Sequence, residues 1–150
     1  ESAGAIVRSN NNIVTVEKEA LNSFTFDASD CPDLFPPLAA LAANCTGTSI
    51  IKGIDRLVHK ESNRALTINK ELTSVGIEVM LRENEMRITG GAISGGTINS
   101  HSDHRIAMMG AILAVNAKTP ITIVNSLAIN KSYPDFFQTL NKLGIHIEEC

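Results

Sequence analysis

Aromatic residues are scarce in this chain. They make up 4% of its 150 residues, with no Trp and a single Tyr. Its core must therefore be assembled from Ala, Ile, Leu, Val and Met. Cysteine is equally sparse. Cys31, Cys45 and Cys150 form an odd, widely spaced set, which implies a reducing cytoplasm and no disulfide framework. Without a CxxC pair, no zinc site is expected. There is no basic surplus, since 13 Lys and Arg stand against 16 Asp and Glu for a net charge of -3. A nucleic-acid partner is not expected from that balance. No apolar run reaches the ~18 residues that span a bilayer, and no signal-peptide pattern opens the chain. Neither a P-loop nor a GxGxxG is present, so a nucleotide is not indicated.

What is present is a globular composition, with 43% hydrophobic and 19% charged residues. Disorder is excluded on that basis. The length suits one domain. A chain of this size buries roughly 68–70% of its unfolded surface, enough for a core without disulfides or metal.

The chain also repeats itself. Asp33 and Asp103 stand 70 positions apart, Ile50 and Ile121 71, Lys60 and Lys131 71, and Gly76 and Gly144 68. Gly4-Ala5-Ile6-Val7 resembles Gly76-Ile77-Glu78-Val79, as if the tail of a third copy came first. This period exceeds the 20–50 residues of ordinary solenoids and points to large α/β units. The expected division is 1–20 as the tail of one unit, 21–92 as a second and 93–150 as a third. Small and apolar residues over 33–44 and 103–116 predict buried helices. The branched runs 49–52 and 121–124 predict buried strands. Second helices are expected near 62–75, with Ala65, Ile68, Leu72 and Val75 on one face, and near 134–143, with Phe136, Phe137, Leu140 and Leu143. Gly76 and Gly144 would end them at C′, and Pro134 suits a first turn. Segments 77–80 and 86–89 predict one β-hairpin, and 5–8 with 13–16 another. Gly90-Gly91 and Gly95-Gly96 read as loop punctuation. Each unit thus reads β-helix-β-helix-β-β in some circular order.

Four motifs lie at or just before predicted helix starts. They are Cys31-Pro32-Asp33, Lys60-Glu61-Ser62-Asn63-Arg64, Ser102-Asp103-His104-Arg105 and Lys131-Ser132-Tyr133-Pro134-Asp135. Helix N-termini favour anions through free N–H groups and the dipole. Lys60, Arg64, Arg105 and Lys131 add full charges, and Arg presents a fork matched to carboxylate and phosphate. Asp33 and Glu61 add acid/base capacity. Each motif alone has a plainer reading. Asp33, Asp103 or Ser102 suits an N-cap, Lys60-Glu61-Ser62-Asn63-Arg64 a solvated first turn, His104 a structural role and Lys131 a surface position. His59, His101 and His146 show no partners in the sequence.

Taken in order and spacing, the four motifs resemble the C-terminal half of the enolpyruvylshikimate-phosphate synthase family, over nearly the whole chain. The most specific stretches are Pro32-Asp33, Lys60-Glu61-Ser62-Asn63-Arg64, Asp103-His104-Arg105 with Ala107-Met108, and Lys131 through Phe137. Asn63 replaces the family's usual Asp. The resemblance implies an α/β fold of repeated βαβαββ units around a pseudo-threefold axis with buried helices, here as part of a C-terminal domain. It implies transfer of the enolpyruvyl group of phosphoenolpyruvate to the 5-hydroxyl of shikimate 3-phosphate, toward chorismate and the aromatic amino acids, without cofactor or metal. It further implies that Asp33 holds the shikimate hydroxyls and is a candidate base, and that Glu61 is a candidate proton-transfer group at the methylene. Lys60 would contact shikimate 3-phosphate, Arg64 and Arg105 would grip phosphoenolpyruvate, and Lys131 would neutralise its phosphate.

The family's site forms between two domains. The missing N-terminal domain is therefore an expected partner, and the fragment alone is expected to be inactive. Two other readings are a fragment of UDP-N-acetylglucosamine enolpyruvyltransferase and a non-catalytic anion-binding module of the same fold. The runs Lys60 to Arg64 and Ser102 to Met108 favour the shikimate enzyme.

Overall fold

The computed structural model describes residues 1–17, 19–58 and 63–148. His59, Lys60, Glu61, Ser62 and Cys150 lie outside the described residues.

Strands β1 (Ile6–Asn10) and β2 (Ile13–Glu17) form an antiparallel hairpin. Its two-residue turn, Asn11-Asn12, has φ of 46° and 63°. A type I′ turn needs positive φ at both central positions, which Asn tolerates better than most residues. Residues Ile13, Val14 and Val16 of β2 are exposed.

A four-stranded sheet follows, in the order β3 (Thr25–Asp27), β4 (Thr48–Lys52), β6 (Glu85–Thr89), β5 (Glu78–Arg82). β3 and β4 are parallel and are joined through helix α1 (Phe35–Ala43). Helix α2 (Arg64–Ser74) links β4 to the β5–β6 hairpin, whose second strand β6 returns antiparallel along β4 and leaves β5 at the sheet edge. A second crossover comes next. β7 (Gly96–Asn99) and β8 (Ile121–Val124) are parallel and are joined through α3 (His104–Ala114). Helix α4 (Phe136–Lys142) closes the described chain.

Helix α1 has Pro36 in its first turn, where the missing N–H costs no helical hydrogen bond. Its residues Phe35, Ala39, Ala40, Ala42 and Ala43 are all buried. Short side chains let α1 lie close to both β6 and α3. Phe35 and Phe24 are the aromatic members of the core, and Ile51, Ile68, Leu72, Met86, Ile88 and Ile98 fill the rest. Burying each such aliphatic side chain contributes about 1.5–3 kcal/mol.

Helices α2 and α4 end in the same way. The N–H of Gly76 donates to Thr73 and that of Ile77 to Leu72, while Gly144 donates to Asn141 and Ile145 to Leu140. Both glycines have φ of +89°, the left-handed C′ conformation of a Schellman cap.

Four expectations need correction. Strands β3 and β7 escape the hydrophobic pattern, because each is short and β7 opens on Gly96. Gly90 is more than punctuation: a Cβ there would lie 1.9 Å from the Cys45 carbonyl oxygen, so the chain leaving β6 presses on the end of α1. Pro134 sits in a turn closed by Phe136 N–H to the Tyr133 carbonyl, and α4 begins only at Phe136. Leu143 is 73% exposed, since it stands at the C-cap, beyond the buried face that Leu140 anchors.

The two adjacent glycines separate these effects. Gly90→Ala is expected to destabilise the protein by about 3 kcal/mol through backbone overlap. Gly91→Ala, with nothing within 4 Å of its Cβ position, is expected to stay within about 0.5 kcal/mol. Denaturant midpoints of the two variants check this, and equal midpoints would contradict the close approach.

Candidate functional site

The starts of α1, α2 and α3 meet at one place. Asp33 lies in the 3-10 turn Pro32–Leu34 that leads into α1. Arg64 is the first residue of α2, and Arg105 is the second of α3. Asp103 is the N-cap of α3, and its Oδ1 accepts from the Arg105 backbone N–H at 3.0 Å.

Arg64 is the centre of the arrangement. Its Nε donates to Asp103 Oδ2 at 2.9 Å and its Nη1 to Asp33 Oδ1 at 2.8 Å. Its side chain is 1% exposed and that of Asp103 is fully buried. The planar fork thus serves two carboxylates from the starts of two other helices at once. Arg105 completes the set from the solvent side, with Nη2 at 3.3 Å from Asp33 Oδ2 and Nη1 at 3.4 Å from the Asp33 carbonyl oxygen. Asp33 and Arg105 keep 48% and 36% of their side chains exposed. They are the members that an incoming solute can reach.

Local chemistry explains each placement. Asp27, at the end of β3, accepts from the Ser29 backbone N–H at 3.0 Å and turns the chain toward Asp33. The Ser29 side-chain and backbone hydrogen bonds hold the Asp27 carboxyl below its ordinary range. That contribution is present above the unfolded carboxylate pKa and is lost as pH falls through the lowered folded one. Asn63 caps α2 by accepting from the Leu66 N–H at 3.4 Å, a role that an amide oxygen fills as well as a carboxylate does.

Of the sequence-predicted residues, Asp33, Arg64 and Arg105 are brought together, while Lys60 and Glu61 lie outside the described residues. Lys131 ends the 3-10 turn Ser126–Lys131, which packs against α3, and is exposed. Among the described residues the site carries no surplus of positive charge, since Arg64 meets Asp103 and Asp33 and Arg105 meets Asp33.

Sequence reasoning saw Asp103 only as a motif member and helix cap. Its second oxygen, bound to Arg64, was the missed feature. The signal was its repeat partner, Asp33, at the other arginine contact. Two histidines also have partners that the sequence did not show: His101 meets Glu71 and His146 meets Glu148, each at 2.9 Å. His104 is buried, with an enclosed Nδ1 that has no hydrogen-bond partner.

A groove of about 110 Å³ between α1 and α3 ends at Arg105, walled by Pro37, Ala40, Met108, Met109 and Ile112. A hollow of about 350 Å³ beside the β1–β2 hairpin has no lining residue from the four motifs. No group of three His, Cys, Asp or Glu side chains among the described residues is placed to hold a metal ion. The geometry offers a half-open Asp carboxylate and an arginine at a shared set of helix starts. That arrangement suits an anion next to a proton acceptor.

Comparison with known proteins bears on these residues. A family model described as EPSP synthase (3-phosphoshikimate 1-carboxyvinyltransferase) matches residues 1–140. A 3-phosphoshikimate 1-carboxyvinyltransferase of Clostridium novyi (strain NT) is 39% identical over 147 residues, 97% of this chain and 34% of that protein. One from Aeropyrum pernix is 37% identical over 148 residues, 98% of this chain and 35% of that protein. The chain thus spans about a third of the length of the curated relatives it matches. The EPSP synthase of Acinetobacter baumannii superposes with a TM-score of 0.78 at 27% identity, covering 93% of this chain and 36% of that one. The enolpyruvyl transferase NikO of Streptomyces tendae shares the fold, with a TM-score of 0.76 at 22% identity over 98% of this chain and 34% of that one. The fold class read from the sequence agrees with both structures.

Removal of one member should separate the buried pair from the exposed one. Asp103→Ala leaves the Arg64 guanidinium buried without its Nε partner and is expected to cost about 3–5 kcal/mol. Arg105→Ala removes a partly exposed pair and is expected to cost under about 1 kcal/mol. Chemical denaturation of the two variants measures the difference, and similar losses would contradict the assigned burial.

Proposed function

Because the chain belongs to the EPSP synthase family, we propose that it forms the C-terminal part of a 3-phosphoshikimate 1-carboxyvinyltransferase. The reaction joins phosphoenolpyruvate to the 5-hydroxyl of shikimate 3-phosphate and releases inorganic phosphate. The hydroxyl adds to C2 of phosphoenolpyruvate while C3 takes a proton, giving a tetrahedral ketal. Loss of a C3 proton and of the C2 phosphate then yields the enol ether. The pathway is the shikimate route to chorismate and aromatic amino acids, and the compartment is the cytoplasm. No helix among the described residues is long and apolar enough to cross a membrane.

The observation that carries this reading is the meeting of three helix starts at Asp33, Arg64 and Arg105. In the proposed chemistry Asp33 binds the shikimate hydroxyls and takes the proton of the attacking one. The Arg64 contact fixes its carboxylate in place. Arg105, with its long and partly exposed bonds to Asp33, exchanges them for phosphoenolpyruvate. Arg64 is held between the aspartates and backs that position. Glu61 handles the C3 proton, Lys60 meets shikimate 3-phosphate, and Lys131 faces the departing phosphate, where positive charge lowers the barrier.

The element order supports reading 1–20, 21–92 and 93–150 as successive repeat units. The first holds β1–β2, the second β3-α1-β4-α2-β5-β6, and the third β7-α3-β8-α4. The shikimate substrate is favoured over UDP-N-acetylglucosamine because the compared relatives carry the 3-phosphoshikimate name.

The test is phosphate release from phosphoenolpyruvate and shikimate 3-phosphate. The intact protein is expected to turn over, and these 150 residues alone are not. In the intact protein, Asp33→Asn and Glu61→Gln are each expected to lower kcat by about 10²–10⁴-fold. Wild-type rates in both variants would contradict the roles given to Asp33 and Glu61, absence of turnover by the intact protein would point to the non-catalytic anion-binding module, and turnover by the fragment alone would contradict the need for a second domain.

A further inference from the structure

Helix α2 carries a second buried charge, two turns beyond Arg64. Glu71 is 3% exposed and lies among Ile68 and Leu72 of the same buried face. A carboxylate in such a place is costly unless it is paired. It caps nothing on its own helix, being in the eighth position of eleven. Its partners are instead on the segment that joins β7 to α3. Oε2 accepts from the Asn99 backbone N–H at 2.8 Å, and Oε1 lies 2.9 Å from His101 Nε2. Among the described residues the exposed Lys70 ammonium also lies near it, at 4.0 Å.

The segment it grips is strained. His101 and Ser102 have φ of 52° and 60°, two consecutive left-handed residues that are not glycine. Such backbone persists only where its surroundings over-determine it. Internal bonds do part of this. Asn99 Oδ1 accepts from the His101 N–H at 2.8 Å, Ser100 Oγ accepts from the Ser102 N–H at 3.2 Å and donates to the Asn125 carbonyl at 3.0 Å. Glu71 supplies the link to α2. At the other end of the segment, Asp103 receives Arg64. Helix α2 therefore holds this one turn at two points, Arg64 on its last residue and Glu71 at its start, about 10 Å apart along the helix.

We propose that Glu71 is a positioning residue: through Asn99 and His101 it sets the β7–α3 turn, and thereby the placement of Asp103 and Arg105 against Arg64 and Asp33. The proposal rests on the reading of Arg105 as the phosphoenolpyruvate-binding arginine for its kinetic consequence, though not for its structural one. A residue that only stabilised the fold would lower the apparent kcat through loss of folded enzyme and leave both KM values unchanged. A positioning residue acts on one substrate.

The intact protein with Glu71→Ala is expected to show a KM for phosphoenolpyruvate raised by about tenfold, with the KM for shikimate 3-phosphate and kcat within about threefold of wild type. Glu71→Gln retains an acceptor for the Asn99 N–H and is expected to restore the phosphoenolpyruvate KM to within about threefold. His101→Ala removes the partner on the turn without altering α2, and it carries the same one-sided rise should Glu71→Ala not fold. Hydrogen–deuterium exchange of the peptide covering 99–105 is expected to quicken in Glu71→Ala and His101→Ala and to stay slow in Glu71→Gln, whether or not the protein turns over these substrates. A protein without transferase activity but with this exchange pattern would overturn the functional reading and leave the positioning role standing. Unchanged exchange, or a lowered kcat with the KM for phosphoenolpyruvate left at its wild-type value, would overturn the positioning role.

Discussion

A guanidinium buried between two carboxylates organises this molecule. Arg64 is too strongly hydrated to enter a protein interior unless its hydrogen bonds are replaced there. Asp103 and Asp33 replace them, and the price is geometric: both aspartates must arrive at set positions. Asp103 comes from the start of α3, Asp33 from the turn before α1, and Arg64 itself from the start of α2. One side chain thus ties three helix origins together. The packing behind it has to be permissive. The alanines of α1 and Gly110 of α3, whose Cβ position is 3.3 Å from Ile98, let the helices approach their neighbours closely enough for the ends to converge.

The same arrangement divides labour between burial and exposure. The inner pair, Arg64 with Asp103, is closed to solvent, while the outer pair, Asp33 with Arg105, stays partly open. A buried pair is rigid because any rearrangement leaves a charge unmatched. An exposed pair at 3.3–3.4 Å exchanges partners at little cost. Rigid support beneath an exchangeable contact is what a site that binds and releases an anion requires.

Much of the fold was legible because periodicity and punctuation agree. Ala65, Ile68, Leu72 and Val75 lie on the buried face of α2, and Gly76 and Gly144 end their helices as their positions required. The repeat exposed the βαβ plan before any strand was placed. Strands β3 and β7 were not legible, because three or four residues carry too little alternation and Gly96 has no side chain to pattern. Gly90 failed for a different reason: a close backbone approach leaves no trace in local sequence. At the site, the four motifs announced Asp33, Arg64 and Arg105. The double duty of Asp103 and the partnership of Glu71 with His101 depend on contacts between residues 39 and 30 positions apart. No local pattern encodes those.

The span of the outer contact has a kinetic meaning. Asp33 and Arg105 are 72 positions apart, and each belongs to a different crossover. Closing a loop of that length is opposed by chain entropy and is compensated only when the intervening elements have docked. The two crossovers share one core, in which Ile98, Ile106 and Leu113 lie with Phe35, Ile51 and Ile88, so the aspartate meets its arginine only once α1 and α3 have docked. The site is therefore a late event in the life of the chain. Protection of the Arg105 side chain would report completion of folding more faithfully than helix content, because both helices that carry the pair can exist before the pair does.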